Sequence, residues 1–494
     1  MTNNRGTVPL TPLAKARTAR GWYQKDVAEQ LGTNETTVSR WERGICLPSP
    51  YFGYKLAELF GTSREELGLL PPEPVTLRKH LFDPAIPFSL FTRGLIGREE
   101  TMADLPAHLS MPGGVVALSG LPGAGKTALA VALGDTMRPR VNGMLWFALG
   151  PQPDVGAHLR RIARLLGVAD GQNEQDLPHA IRQAIGHQRM LIVLDDVWSV
   201  QDALACMVGG PCCSYILTSR SPAIALRTGD WHLVVPELSE DEGLRVLSAR
   251  APSVASTYEA AVRELVRAVG GLPLALILIG NYLRLQASFG QPRRVVHALE
   301  HLRDPVFRLQ LTEPQSAIER PPALREGLQL SLQAVVEASD SRLHEHARLA
   351  LRALSALPCK PASFSEEAAL AVADCSPGTL DMLVDAGLLE SLQEGRYSLH
   401  PVIAQYAAAH ALERQSAVAE RLLQYVQGLQ VGNKEETPEG ETIKMAARLA
   451  DQYGLPFAPP AHWGTGNEKS TVLPFPSERL HRKRNTSWEA CSRG

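Results

Sequence analysis

Gly120-Leu-Pro-Gly-Ala-Gly-Lys-Thr127 sets glycines, an ammonium and a hydroxyl at the spacing G-x-x-x-x-G-K-[ST]. This set of residues suits the binding of a phosphate. The glycines let the backbone turn its N–H groups toward an anion, and a helix opening near Lys126 aims the positive end of its dipole at the same place. Lys126 would reach the β- and γ-phosphates, and the Thr127 hydroxyl would sit on Mg²⁺. Gly120, Gly123, Ala124, Gly125, Lys126, Thr127 and Ala128 are therefore the candidate nucleotide-binding residues of the loop. The alternative is a glycine-rich turn with a chance Lys-Thr pair. Context opposes it: the apolar run Val115–Leu118 precedes the loop and the helix-prone Ala128–Leu133 follows, giving the strand–loop–helix order the motif requires.

Two further segments supply matching chemistry. Met190–Leu194 is an apolar run that ends in the carboxylates Asp195 and Asp196. A hard Mg²⁺ ion takes oxygen ligands and keeps several waters, which assigns Asp195 to the metal and its water shell. Asp196 is the candidate to polarise an attacking water, and a surface Asp-Asp turn is the alternative for the pair. Leu217-Thr-Ser-Arg220 places an arginine at the end of another predicted strand, where ligands bind in open α/β sheets. Arg220 is then either a reporter of a γ-phosphate or a solvated loop residue. Lys126, Asp195, Asp196 and Arg220 form the candidate catalytic set, with Thr127 and Asp195 as metal ligands.

The elements that must hold these groups alternate. Strands are predicted at Val115–Leu118, Met144–Ala148, Met190–Leu194, Ser214–Thr218 and His232–Val235. Helices are predicted between them at Glu100–Leu109, Thr127–Met137, Ala157–Leu166 and Leu177–Ile185. Such alternation calls for a parallel sheet covered on both faces. Ser239-Glu-Asp-Glu242 is a capping box that opens a helix through Leu244–Ala249. Mostly helical chain follows, including Tyr258–Val269 and Leu274–Leu285. A strand pair is expected around Leu388–Leu392 and Tyr397–His400, then a helix from Val402 to Leu422 and a loosely ordered tail after about residue 430. Arg160-Arg161 is expected on a solvated helix face, His344-x-His346 on the surface, and Arg482–Arg484 in a solvated terminus.

Composition narrows the classes. At 494 residues the chain is too long for one core. With 50 Lys+Arg against 52 Asp+Glu it carries no global field toward nucleic acid, so any DNA contact must be local. No apolar run approaches a membrane span, and the N-terminus lacks a signal-peptide core, so a cytoplasmic protein with no membrane partner is expected. The seven cysteines show no C-x-x-C spacing, which argues against a disulfide framework or a zinc site. Cys212-Cys213 reads as apolar residues before a buried strand rather than a redox pair.

Near the N-terminus, Trp22–Gly32 is an amphipathic helix with Val27, Ala28 and Leu31 inward, stopped by Gly32. Thr33–Gly44 opens with capping residues and places Val38 and Trp41 on one face. Two helices joined by a short glycine turn suit a helix-turn-helix reader of DNA. With Leu56–Phe60, this stretch resembles the Xre/Cro, lambda-repressor-like fold over about 10–69. By position the resemblance implies that Glu35, Thr36 and Arg40 face base edges while Gln24 and Arg43 hold phosphates. A protein-contact module that kept the fold is the alternative.

Leu95-Ile-Gly-Arg-Glu99, the phosphate loop, Leu194-Asp-Asp-Val-Trp198, Leu217-Thr-Ser-Arg220 and Gly271-Leu-Pro-Leu-Ala275 occur in this order and together resemble the NB-ARC branch of the STAND signal-transduction ATPases. The resemblance implies a multidomain chain: an all-α helix-turn-helix head over 1–70, a proline-rich linker over 71–92 and an α/β P-loop core over 93–250. A helical domain over 251–316, a winged-helix domain over 317–412 and a C-terminal helix and tail over 413–494 complete it. It also implies that Ile96 and Pro273 line an adenine pocket and that Arg220 senses the γ-phosphate. Tyr397-Ser-Leu-His-Pro401 matches the segment whose histidine touches the ADP β-phosphate in such proteins, giving His400 that role, although Pro401 replaces the usual acidic residue.

The function expected is an ADP/ATP switch with Mg²⁺, in which ADP holds the chain closed, ATP opens it for self-association, and assembled heads bind DNA with avidity, slow hydrolysis resetting the state. STAND proteins usually continue into a sensing repeat array, so sensing here is expected to be delegated to an upstream protein or lost by shortening. A constitutive ATPase or truncated scaffold whose head recruits a protein is the alternative. Lys126→Ala should abolish nucleotide retention, read by chromatography of the denatured protein's supernatant, while the head stays folded. Joint loss of both would refute the division into separate cores.

Overall fold

The computed structural model describes residues 11–64, 66–69, 81–87, 95–168, 173, 175–312, 331–411, 415–429 and 439–457. Four helices build the head: α1 (Pro12–Ala19), α2 (Gln24–Leu31), α3 (Glu35–Glu42) and α4 (Pro50–Phe60). Each begins or ends where a side chain or glycine satisfies exposed backbone groups. The Thr11 hydroxyl accepts from Ala14 N, the Asn34 side chain accepts from Thr37 N, and Gly32 closes α2 at φ 68°. Leu13, Val27, Ala28, Leu31, Val38, Trp41, Leu56 and Phe60 fill its core.

Six strands form one parallel sheet: β1 (Leu81–Phe82), β2 (Val115–Ser119), β3 (Gly143–Ala148), β4 (Met190–Val197), β5 (Ser214–Ser219) and β6 (Trp231–Val234). Their spatial order is β1-β3-β4-β5-β2-β6, so β5 lies between the strand that feeds the phosphate loop and the strand that ends in Asp195 and Asp196. Alternate residues serve opposite faces, as the two-residue period of a strand demands. Val116, Leu118, Met144, Trp146, Leu191, Val193 and Ile216 pack on one side, and Val115, Ala117, Leu145, Phe147, Ile192, Leu194 and Leu217 on the other. Helices α5 (Glu99–Leu109) and α6 (Lys126–Met137) flank the sheet. The register between β4 and β5 shifts between Leu194 and Val197, where Asp196 adopts φ 54°. That irregularity interrupts the β4–β5 pairing at the carboxyl edge, while Asp195 stays paired with Ala148 of β3.

Downstream, helices Glu240–Arg250, Pro252–Thr257, Glu259–Ala268, Pro273–Ala287, Pro292–His301 and Pro305–Gln310 succeed one another. The capping box at Ser239 is present, with Ser239 N donating to Glu242 Oε2 at 2.8 Å. A second unit combines helices Leu332–Asp340, Glu345–Leu354, Glu366–Ala373, Pro377–Asp385 and Pro401–Ala409 with an antiparallel sheet of β7 (Phe364–Ser365), β8 (Glu390–Ser391) and β9 (Arg396–Ser398) in the order β7-β9-β8. The multidomain α/β and all-α fold class expected from the sequence is therefore present.

Several expectations need correction. Part of the stretch assigned to a linker packs on the core: Leu81–Phe82 form β1, which pairs with β3, and Asp83 and Ile86 are buried. The rest of that linker, 71–80 and 88–92, lies outside the described residues. Arg161 is not simply solvated. It pairs with the buried carboxylate of Asp83 at 2.7 Å, and Asp83 also accepts from Trp146 N at 3.0 Å. His344 is exposed as expected, and its Nδ1 caps a helix by accepting from Ala347 N. The helix from Val402 to Leu422 is instead two, Pro401–Ala409 and Gln415–Gly428; the chain leaves the first after Ala409, where His410 N returns to Ala407 O. The tail after 430 contains a helix, Gly440–Tyr453, which buries Ile443, Ala446 and Ala450 and ends at Gly454 with φ 64°. Arg482–Arg484 lies outside the described residues. Asp83→Ala should destabilise the core by about 2 kcal/mol, because Trp146 N–H and the Arg161 guanidinium lose their acceptor. Chemical denaturation followed by tryptophan fluorescence checks this.

Candidate functional site

The phosphate loop leaves β2 at Ser119 and enters α6 at Lys126. Gly120, Gly123 and Gly125 all take positive φ, at 138°, 87° and 95°. A Cβ at Gly120 would fall 2.7 Å from Val235 O, so side chains are excluded there by space as well as by conformation. At Gly125 a Cβ would meet nothing within 4 Å, and the left-handed backbone alone requires glycine. Ala124 is buried and Ala128 half-buried, on either side of the Lys126–Thr127 pair.

Lys126 folds back over the loop and donates to the carbonyls of Gly120 and Leu121, both at 2.9 Å. Burial, aided by the nearby Arg220 charge, lowers its ammonium to about 8. Thr127 Oγ1 donates to Asp195 Oδ1 at 2.8 Å, and Thr218 Oγ1 donates to the same oxygen at 2.7 Å. Burial raises the Asp195 carboxyl to about 6 despite both hydroxyls. Asp196 N donates to Thr218 Oγ1 at 2.9 Å, so Thr218 ties β5 to both acidic residues. Arg220 Nε lies 3.4 Å from Asp196 Oδ1, its guanidinium stacks on Trp198 at 4.7 Å, and its Nη1 donates to Val335 O at 2.7 Å and Ser339 Oγ at 3.0 Å. Lys126 and Thr127 of α6, Asp195 and Asp196 of β4 and Arg220 just past β5 thus meet at one edge of the sheet.

Of the remaining expected nucleotide residues, Pro273 lies beside the loop. Pro273 opens its helix, and the next residue, Leu274, donates its N–H to Gly123 O at 3.2 Å. Ile96 precedes α5, two positions before Arg98. Arg98 is a residue the sequence reading passed over. Its buried guanidinium donates to Ala124 O at 3.3 Å and Pro236 O at 2.5 Å, pinning the loop. The stretch Leu95–Glu99 carried the signal, since an arginine beside a glycine turn ahead of a phosphate loop has carbonyls within reach. His400 Nδ1 accepts from Val402 N at 3.2 Å, so Nε2–H points to Gly270 O at 3.3 Å. Burial lowers it to about 4, leaving a neutral imidazole at neutral pH. It stands at the turn leading to Gly271-Leu-Pro273.

In the head, Glu35 and Thr36 are exposed on α3. Arg43 is exposed and its Nε donates to Ser39 O at 3.3 Å. Gln24 donates to Glu42 Oε2 at 2.8 Å inside the head, so its amide is engaged by a buried carboxylate that also pairs with Arg17 at 2.5 Å. Arg40 pairs with Asp230 of the core at 3.1 Å. No group of three or more His, Cys, Asp or Glu side chains forms a metal cluster among the described residues, and no helix there is long and apolar enough to cross a membrane.

A glycine-rich loop capped by a lysine and threonine, with a strand-end carboxylate beside it in a parallel sheet, defines a P-loop nucleoside-triphosphatase fold, here carrying a helix-turn-helix head. More particularly, residues 98–255 match the NB-ARC domain family and residues 13–67 the helix-turn-helix family. It is similar to the regulatory protein AfsR of Streptomyces griseus, 28% identical over 370 residues, which cover 70% of this chain and 35% of that protein. A Mycobacterium tuberculosis protein named as an HTH-type transcriptional regulator is 28% identical over 314 residues, 59% of this chain and 33% of that one. The chain spans about a third of the length of these curated relatives, 35% and 33%. Among solved structures, a STAND protein with a tetratricopeptide-repeat sensor from Pyrococcus horikoshii aligns over 73% of this chain and 48% of that one, at 17% identity and a TM-score of 0.30.

The buried carboxylate gives a pH signature. The folded Asp195 stays protonated up to about 6, while its unfolded counterpart ionises near 3.8, so the unfolded state binds fewer protons in that window. Stability of the nucleotide-free protein therefore falls as pH rises between these values. Asp195→Asn keeps an acceptor for Thr127 and Thr218 and removes the titration. Its thermal midpoint should rise above that of the wild type near neutral pH and lose the decline between pH 3.8 and about 6. Parallel scanning calorimetry of both proteins across pH checks this.

Proposed function

We propose that this chain is a nucleotide-controlled switch that couples ADP/ATP exchange to a DNA-binding head, acting as a transcriptional regulator. The observation that carries the reading is the position of Arg220, beside Asp196 at the sheet edge yet bonded to Val335 and Ser339 of the helix Leu332–Asp340. A guanidinium prefers a phosphate oxygen to a neutral carbonyl, because the charge-assisted bond is stronger. Arg220 therefore turns to the γ-phosphate in the ATP state and rests on the helix in the ADP state. A ligand shifts a conformational equilibrium only through its differential interaction with the two states, and Arg220 supplies that difference.

The other residues bind and orient. The loop from Gly120 to Ala128 cradles the phosphates, and Lys126 transfers its donors from the Gly120 and Leu121 carbonyls to them. Thr127 Oγ1 and Asp195 Oδ1, 2.8 Å apart, are two hard oxygens at nearly the separation of adjacent sites on an octahedral ion, about 3 Å. They would hold Mg²⁺, which neutralises phosphate charge when bound. Ile96 and Pro273 flank the adenine end, and His400 orders the turn behind Pro273. Asp196 orients water for a slow hydrolysis that resets the switch. Glu35, Thr36 and Arg40 read bases and Arg43 holds backbone phosphate, with Gln24 supporting the same surface. Recognition of this type uses paired half-sites, so self-association of open chains supplies avidity that one head lacks, and an upstream sensor protein triggers opening. The regulator names borne by AfsR and the mycobacterial relative support the transcriptional role.

Mass measurement of the purified chain, with extraction of its nucleotide, tests this. The wild type should be a single chain retaining ADP, and a non-hydrolysable ATP analogue should convert it to an assembly, while Arg220→Gln should retain ADP and fail to convert. An empty site, or steady multiple turnover with no change in mass, would contradict the reading.

A further inference from the structure

Arg40 leads away from the head. Its Nη1 donates to Asp230 Oδ1 at 3.1 Å, across 190 residues of sequence. Asp230 immediately precedes β6, and its second oxygen accepts from Val115 N, the first residue of β2, at 3.2 Å. On the same face Cys46, just beyond α3, lies against Gly113: a Cβ at Gly113 would fall 2.3 Å from Cys46 Cβ and 3.2 Å from its Cα. Gly113 N in turn donates to Cys213 O at 2.7 Å, so the segment that receives Cys46 is fixed to the start of β5. These contacts all sit at the amino ends of β2, β5 and β6, the edge opposite the phosphate loop. The side chains of Arg40 and Asp230 keep 30% and 50% exposure, so the pair is a surface contact, open to competition.

Geometry makes the two uses of Arg40 exclusive. A guanidinium that reads guanine does so through its fork, with both donors on the base edge, and cannot hold Asp230 at the same time. A duplex laid along α3 also brings its phosphates toward the Asp230 carboxylate, which repels them. Glu35 and Thr36, one to two turns earlier on α3, remain exposed, so the block falls on the carboxyl-terminal half of the reading helix.

We propose that the amino-end edge of the nucleotide-binding sheet, centred on Asp230 and Gly113, is an intramolecular docking surface for α3 and the Cys46 loop, and that it masks the DNA-reading face. DNA and the core then compete for Arg40. This rests on the reading of the head as a DNA-binding module. It places the inhibitory contact on β2, the strand that continues directly into the phosphate loop.

The test uses the full chain and Asp230→Asn, which keeps an acceptor for Val115 N and drops the charge that holds Arg40. N-ethylmaleimide modification of Cys46, resolved by peptide mass spectrometry, reports docking independently of DNA. Burial raises the Cys46 thiol, so release should speed its alkylation. Anisotropy of a labelled mixed-sequence duplex at low salt reports masking, with retained nucleotide as the check on folding. Asp230→Asn should alkylate Cys46 faster and bind the duplex about threefold more tightly, as loss of one exposed ion pair allows. Unchanged Cys46 alkylation overturns the docking surface. Faster alkylation with duplex affinity equal to a wild type that binds overturns the masking. Faster alkylation with no duplex binding by either protein removes the DNA-binding reading, and the masking with it.

Discussion

Arg220 joins the carboxyl edge of the parallel sheet to a helix of the downstream unit. On one side it lies 3.4 Å from Asp196, at the edge where the phosphate loop, the acidic strand end and Thr218 converge. On the other it donates to Val335 and Ser339, in a helix of the unit built around β7, β8 and β9. A parallel sheet makes this arrangement possible, because every strand presents its carboxyl end to the same edge. With β5 between β2 and β4, its last residue and the arginine beyond it fall between the loop and the carboxylates. Were the order different, the same motifs would lie on the chain without meeting.

Other contacts hold the two lobes in register around that arginine. Lys360 lies 3.1 Å from Glu237, just after β6, and 2.6 Å from Glu390 of β8, so one ammonium bridges carboxylates of both units. His400 donates to Gly270 O and Gln405 to Ala268 O at 2.9 Å, both at the end of the helix before Gly271. Arg342 donates to Pro151 O at 2.7 Å and stacks on the Trp198 ring, which also carries Arg220. Most of these are polar contacts with partial solvent access, each of modest worth. A set of that kind fixes an orientation while remaining reversible, as the proposed switch requires.

The carboxyl edge of the sheet was legible because its signals are local. Apolar runs closed by Asp195-Asp196 or Arg220 specify buried parallel strands, and Gly120 to Thr127 specifies the loop between a strand and a helix. The head was legible for similar reasons, through Gly32, Asn34 and the spacing of Val27, Leu31, Val38 and Trp41. What escaped is non-local. β1 is two residues long and has no period to read, and it is held by Asp83, whose partner Arg161 lies 78 residues away. The pairing of Arg40 with Asp230 is equally invisible in sequence. The helix Gly440–Tyr453 is a different failure: Ile443, Ala446, Ala450 and the closing Gly454 carry a helical pattern, but the surrounding Gly, Pro and Glu content masked it.

Hydrogen exchange at the amides of Leu332–Asp340, followed with ADP and then with a non-hydrolysable ATP analogue, addresses the coupling most directly. If Arg220 leaves Val335 and Ser339 for a γ-phosphate, this helix should exchange faster in the analogue than in ADP, and the difference should vanish when Arg220 is replaced by glutamine. Equal exchange in both nucleotides, with each shown to be bound, would contradict the account.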